Sequence, residues 1–325
     1  MAVTHTSISW TDATWSPLRG CSRVSEGCRF CYAERQAGRF SGPGQPYEGL
    51  VRKTSQGYHW TGEVRLIEKD LEVPLHWKKP RRIFVNSMSD LWHESVPDEW
   101  IDRIFAVMAL APQHTFQILT KRPERMHTYC TQDLLPGRMA GAKLLSRFMY
   151  DGLPYTGVMD MPLKNVWVGV SCENQTTVDE RLPWLLQTPA TVRFVSYEPA
   201  LGPANLTPYL GYMPDTIAGQ FLPEELALAQ GVDWVIVGGE SGPHARPCDV
   251  AWIRGIIHQC QEAEVPCFVK QLGARPFAGT CTCGKTRTVN CWSCGGYLCL
   301  KDRKGADPAE WPADLLVQQF PLEER

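Results

Sequence analysis

The sequence has almost no net charge: 33 Lys and Arg stand against 35 Asp and Glu, leaving −2 at pH 7. No global basic field therefore marks the chain as a nucleic-acid binder, although a local patch would suffice for one. It has no apolar run approaching the roughly 20 residues of a membrane-spanning helix, so no membrane partner is expected. The opening MAVTHTSISW lacks a basic stretch followed by an apolar core. No signal peptide is expected, and the expected location is the cytoplasm. There is no convincing internal repeat and no low-complexity tail. The cysteines lack an even count: there are 13. An odd, clustered set in a cytosolic chain argues for metal binding rather than disulfides.

What is present is an ordinary globular composition, 43% hydrophobic and 21% charged, over 325 residues. That length suits one large barrel or two ordinary domains. The twelve tryptophans are expected in core and rim packing before base stacking. Short apolar runs recur, each followed by polar residues. Ile83-Phe84-Val85 leads into Ser87, Ser89 and Asp90, and Thr115 to Leu119 into Lys121 and Arg122. Asn165 to Val170 leads into Cys172 and Glu173, and Val192 to Val195 into Glu198. Val232 to Val237 leads into Gly238, Gly239 and Glu240, and Pro266 to Val269 into Lys270. Between them, apolar residues at Trp100, Ile101, Ile104, Phe105 and Met108 carry helical spacing, and 178–187 and 249–264 also read as helices. Strand–helix alternation predicts a parallel sheet, and six or more such units favour a partial or full β/α barrel. In a barrel the residues after the strands form the face where active sites are built. Ser41 to Gly62 is rich in Gly, Pro and Ser and reads as a long loop. Residues 131–162 read as an irregular excursion.

The stretch GCSRVSEGCRFCYAE puts Cys21, Cys28 and Cys31 within eleven positions. Three thiolates leave one iron of a four-iron cluster open to a small ligand. A zinc site completed by His5, His59 or a carboxylate is the alternative, and spacing alone does not separate the two. Phe30 is placed to shield a cluster from water. Tyr32-Ala33-Glu34-Arg35 starts a helix that would anchor the loop.

WTDATWSPLRGC, GCRFCYAER, FVNSMSDLWHESVPDEWIDRIFAVM, ILTKRPERM, VWVGVSCENQ, SYEPALGP, WVIVGGESGPHARP and FVKQLG follow one another in order. Through them the chain resembles the phage and bacterial three-Cys-motif family, which is similar to radical S-adenosylmethionine enzymes, from about Ile8 to Leu272 and again near Asp302. The cysteine spacing of six and then two residues departs from the three and two of most radical S-adenosylmethionine enzymes. The early position of the loop is where such enzymes carry their cluster. The resemblance implies a β/α barrel of the TIM-like radical type, a [4Fe-4S] cluster on Cys21, Cys28 and Cys31, and S-adenosylmethionine bound to the open iron. One electron from an external donor would cleave a carbon–sulfur bond, and the 5′-deoxyadenosyl radical would take a hydrogen atom from an unactivated carbon. Ser87, Ser89, Asp90, Gly238, Gly239 and Glu240 are then candidates for holding the cofactor. Lys121 and Arg122 are candidates for substrate phosphate or carboxylate. Glu198, Lys270 and Cys172 are candidate catalytic groups.

A second cluster, Cys281, Cys283, Cys291 and Cys294, pairs two short cysteine turns and is expected to bind structural zinc, with Cys299 as a spare or alternative ligand and a second iron–sulfur cluster as the rival. The expected organisation is a barrel over 1–276, a zinc knuckle over 277–300 and a closing segment over 301–325. Asp307-Pro308-Ala309-Glu310 reads as a helix start. Because similar chains occur in phages, the expected substrate is a nucleic-acid base, DNA first. The basic stretch from His76 to Arg82 and the basic surround of the knuckle are the local support. The alternatives are a zinc-dependent nucleic-acid-binding protein without catalysis, a radical enzyme acting on a metabolite or protein, and a cluster used for electron transfer or sensing.

Overall fold

The computed structural model describes residues 6–132, 162–211, 231–278, 298 and 300–321. The fold is mixed α/β. Seven strands are ordered as they follow in the chain: β1 (Ala13–Trp15), β2 (Arg82–Val85), β3 (Thr115–Thr120), β4 (Val166–Cys172), β5 (Val192–Tyr197), β6 (Trp234–Gly238) and β7 (Cys267–Gln271). The main helices are α1 (Tyr32–Gly38), α2 (Asp98–Ala109), α3 (Pro123–Cys130), α4 (Gln175–Gln187) and α5 (Val250–Glu262). The pairing is parallel, with Ala13 beside Ile83, Phe84 beside Gln117 and Ile118 beside Val168. Further along, Val195 lies beside Val235, and Ile236 beside Phe268. Every residue of β4 and of β6 is buried, the signature of parallel strands covered on both faces.

The chain divides into two compact units. The first holds Met1–Val24, Ala33–Val170 and Gln187–Val192; the second holds Ser25–Tyr32, Ser171–Leu186 and Arg193–Arg325. In the first, α2 buries Ile101, Ile104, Phe105 and Met108 along one stripe and carries Asp98 and Glu99 in its first turn. The stripe drives packing, and the acids suit the positive end of the helix. Tyr129 of α3 packs on Phe105 and donates its hydroxyl to Asp102 Oδ1 at 2.8 Å. In the second, Trp234 packs against Phe194, Phe268 and Phe320. The C-terminal tail runs along β7, with Val269 N–H donating to Val317 O and Gln319 N–H to Cys267 O. It thereby covers backbone that an edge strand would otherwise expose.

Three expectations need correction. The earliest apolar run read as a strand, Ile83-Phe84-Val85, is preceded in the sheet by β1, so the cysteine loop follows the first strand. A three-residue strand is too short to show a pattern in sequence. The loop expected over Ser41 to Gly62 contains an antiparallel pair, Val51–Thr54 with Gly57–Trp60. Only its ends, Val51 and Trp60, are buried, so little alternation betrays it. The strands also run further than their apolar cores, taking in Ser171, Cys172, Ser196, Tyr197 and Lys270. Asp307 does cap the turn after it, accepting from Ala309 N–H, but that turn is a 3-10 helix over Pro308–Glu310. The expected excursion lies almost wholly outside the described residues, as do Cys281, Cys283, Cys291, Cys294 and Cys299 of the expected knuckle.

Candidate functional site

In the first unit the polar residues after β2 and β3 form one network. Asp90 is buried and accepts from four donors: Trp92 N, Thr120 Oγ1, Lys121 N and Arg122 Nη1. Its carboxylate is fully engaged, so its observed work is to join the ends of β2 and β3. Arg122 extends from this hub to Glu94, Ser22 and Cys21. Burial alone would lower its basicity, yet Asp90 and Glu94 carry it above the ordinary value. His93 accepts from Ser95 N–H at Nδ1, which leaves its proton on Nε2, 2.9 Å from Ser22 Oγ. Ser89 Oγ donates to Leu18 O, and Gly20 bridges to Ser89. Ser87 is half-buried beside them, and Lys121 is half-buried.

A second contact closes the cysteine loop from within the same unit. Arg23, two residues beyond Cys21, donates from Nε and Nη2 to Glu34, three residues beyond Cys31. Glu34 is only 1% exposed, and its Oε1 also accepts from Trp60 N–H at 2.9 Å. Helix α1 presents this carboxylate inward, so the loop between is fastened at both ends.

In the second unit the loop residues Ser25–Tyr32 meet the ends of β4 and β6. Ser25 Oγ donates to the buried Glu173 at 2.9 Å, and Arg181 holds that carboxylate from α4 at 3.2 Å. Arg246 donates to Glu240 twice, reaches Glu26 at 3.5 Å and lies over the Phe30 ring. His244 stands on that ring too. Lys270 Nζ lies 2.9 Å from Glu198 Oε2, both part-buried. Gly238 and Gly239 are explained by their own chain: a Cβ on Gly239 would meet Leu272 O at 2.3 Å, and one on Gly238 would meet Glu198 and Gln271. Cys172 is fully buried with its thiol on Thr177 O at 3.5 Å.

Cys21 lies in the first unit, and Cys28 and Cys31 in the second. All three are half-buried thiols, and no described cysteine is in a disulfide. In kind and number they fit a three-thiolate cluster site. Among the described residues, no group of three or more His, Cys, Asp or Glu stands ready around one point to hold a metal ion. The structure therefore fixes no ligand geometry. His59 sits in the Gly57–Trp60 strand, and His5 is outside the described residues. The basic stretch from His76 to Arg82 runs into the first residue of β2, at the opposite end of that strand from Asp90. Arg82 there pairs with Asp12, and Arg81 covers the Trp77 ring.

Sequence reasoning missed Glu34, Arg23, Glu173, Arg181, Arg246 and Glu94. Glu173 and Arg246 sit inside stretches already singled out, SCEN and GPHARP; a charge just past an apolar run was the signal for Glu173, and Arg246, nine residues past Val237, had none. The Arg23–Glu34 clasp had none, because partners eleven residues apart meet only through the loop.

In each unit, buried charged pairs gather at the carboxyl ends of parallel strands, as in the α/β proteins that build their sites at that end of the sheet. The chain belongs to the family described as protein of unknown function, DUF5131, whose family model matches residues 5–294. No curated protein and no solved structure matches it.

Proposed function

We propose that the protein is a radical S-adenosylmethionine enzyme on a partial or full β/α barrel, with Cys21, Cys28 and Cys31 holding a [4Fe-4S] cluster and a nucleic-acid base as substrate. The observation that carries the reading is three half-buried thiols in one short loop whose flanks are fastened by polar contacts, Arg23 to Glu34 and Ser25 to Glu173. Such a loop leading from a parallel strand into a helix supports cluster binding over a surface turn.

When bound, the cluster and S-adenosylmethionine would supply the radical that abstracts a hydrogen atom. The chain's own residues orient and shield. Phe30, in contact with Arg246 and His244, would shield a cluster held at Cys31 from water. Glu240 is engaged by Arg246, and Glu198 by Lys270. Each pair presents one carboxylate and one cation side by side, which suits a ligand that carries both an amine and a carboxylate, as the amino-acid end of S-adenosylmethionine does. An external electron donor and a zinc at Cys281, Cys283, Cys291 and Cys294 complete the reading.

The test is anaerobic reconstitution followed by dithionite and S-adenosylmethionine, with and without a DNA oligonucleotide. Formation of 5′-deoxyadenosine, coupled to a mass change in the DNA, supports the whole proposal. 5′-deoxyadenosine with unaltered DNA and RNA moves the substrate to a metabolite or protein. Zinc in the first site and salt-sensitive nucleic-acid binding without cofactor cleavage would replace the enzyme by a binding protein.

A further inference from the structure

We infer that Arg122 is not a substrate-binding cation but the positioning residue of Cys21, fixing its sulfur against the ends of β2 and β3 and setting its electrostatic surroundings. The inference deepens the proposed cluster site and rests on that reading for its redox part.

The donor inventory of the guanidinium comes first. An arginine has five N–H donors. Here Nε donates to Glu94 Oε2 at 2.6 Å. Nη1 donates to Asp90 Oδ2 at 3.1 Å and points to Cys21 Sγ at 3.9 Å. Nη2 donates to Ser22 Oγ at 2.7 Å and to Ser22 O at 3.4 Å. Every donor is used within the protein, and the side chain is 9% exposed. A phosphate reaching this group would have to displace a carboxylate that already occupies it.

The base of the side chain is equally fixed. Arg122 N–H donates to Thr120 Oγ1, and that hydroxyl donates in turn to Asp90 Oδ1 at 2.7 Å. Helix α3 starts at the next residue, Pro123, whose ring favours the first helical position. Arg122 thus stands at a strand–helix junction with little freedom. Its far end bonds Ser22 through both hydroxyl and carbonyl and lies 3.9 Å from the Cys21 sulfur. Ser22 is held from the other side by Glu94 Oε1 and His93 Nε2. The guanidinium thus holds Ser22 directly, and through it the Cys21 sulfur, which itself donates to Ser22 O at 3.4 Å.

The charge has a second consequence. Hydrogen bonds to ligand sulfur and nearby charge are among the determinants of iron–sulfur potentials. A fixed cation beside Cys21 Sγ favours the reduced, more negative form of a cluster bound there. Removing it would leave Asp90 and Glu94 uncompensated beside that sulfur and drive the midpoint potential down.

The experiment compares wild type, Arg122→Gln and Arg122→Lys in two states. In the metal-free protein, amide hydrogen exchange over residues 18–24 is measured. Losing the charged hydrogen bonds should speed exchange there about tenfold or more in Arg122→Gln, with the rest of the first unit unchanged. In the reconstituted protein, the cluster midpoint is measured by redox titration followed by electron paramagnetic resonance. Arg122→Gln should shift it to more negative potential. Arg122→Lys, which keeps the charge but loses the fork, should hold the potential near wild type while exchange stays fast. Should Arg122→Gln fail to fold, Arg122→Lys alone decides, through exchange faster than wild type at an unmoved potential. Unchanged exchange in both variants, or an unchanged potential in Arg122→Gln, overturns the inference. If wild type takes up no iron, the cluster reading itself has failed, and the exchange result alone decides whether Arg122 positions Cys21.

Discussion

Gly27 lies directly against the carboxylate of Glu173: a Cβ placed on Gly27 would stand 2.2 Å from Glu173 Oε1 and 2.5 Å from its Cγ. The obstacle cannot swing aside, because Arg181 and Ser25 hold the carboxylate and it is buried. The cysteine loop thus approaches the end of β4 as closely as a residue without a side chain allows.

Gly27→Ala should therefore cost about 1–3 kcal/mol of stability through overpacking and reduce iron retained on reconstitution. Gly255, inside α5 with nothing within 4 Å of its Cβ position, provides the contrast. Gly255→Ala should stabilise by roughly 0.5–1 kcal/mol. Urea unfolding of the two variants checks both signs.

Glu34→Ala should cost about 1–3 kcal/mol, the penalty for leaving a buried donor unsatisfied, since Arg23 is 30% exposed and can be hydrated. It leaves Arg23 without its carboxylate and Trp60 N–H without an acceptor. Glu34→Gln keeps an acceptor for Trp60 and should lose less. Urea denaturation, with limited proteolysis between residues 23 and 34, reports both the energy and the opened loop.

The acid limb of stability should carry a contribution from Glu94. Burial pushes its carboxyl up, but the Arg122 hydrogen bond and charge hold it at about 2, below the ordinary 4.5. A depressed folded-state value means the stabilisation is present above pH 4.5 and is lost as pH falls through about 2. Glu94→Gln should flatten the fall in stability over that window and leave the neutral side of the profile nearly parallel. The side chain is 63% exposed, so the effect should stay within about 1 kcal/mol. Chemical denaturation across the pH range would refute this if the two profiles superimpose below pH 4.5.

Thiol reactivity should split the described cysteines. Burial pushes Cys130 and Cys248 up to about 12, and Cys172, Cys260 and Cys267 are buried as well. Cys21, Cys28 and Cys31 are half-buried. Alkylation of the native metal-free protein at neutral pH, mapped by peptide mass, should label these three before any of the five buried ones. Early labelling of Cys130 or Cys248 would contradict the packing.

Much of the sheet was legible because a parallel strand buried on both faces announces itself as an apolar run, as in Val166 to Val170 and Trp234 to Val237. Helix α2 was legible from its stripe. The strand ends were not: Ser171, Ser196 and Lys270 continue their strands, because backbone pairing does not depend on side-chain polarity. Residues Asp90, Arg122, Glu198, Glu240 and Lys270 were found as site candidates because charge follows an apolar run in each case. Their roles were not legible. Arg122 looks like a phosphate ligand in sequence and is saturated in the structure, since its partners Glu94 and Ser22 come from distant segments. Glu198 and Lys270 were candidates because each lies just past an apolar run, and the structure joins them as an ion pair.

The most direct measurement of the central claim is metal stoichiometry after anaerobic reconstitution, for wild type and Cys28→Ala. The account predicts four irons and four sulfides per chain in wild type, with the cluster lost in Cys28→Ala while any zinc at the C-terminal cysteines remains. Wild-type protein that holds zinc and no iron at Cys21, Cys28 and Cys31 would contradict it.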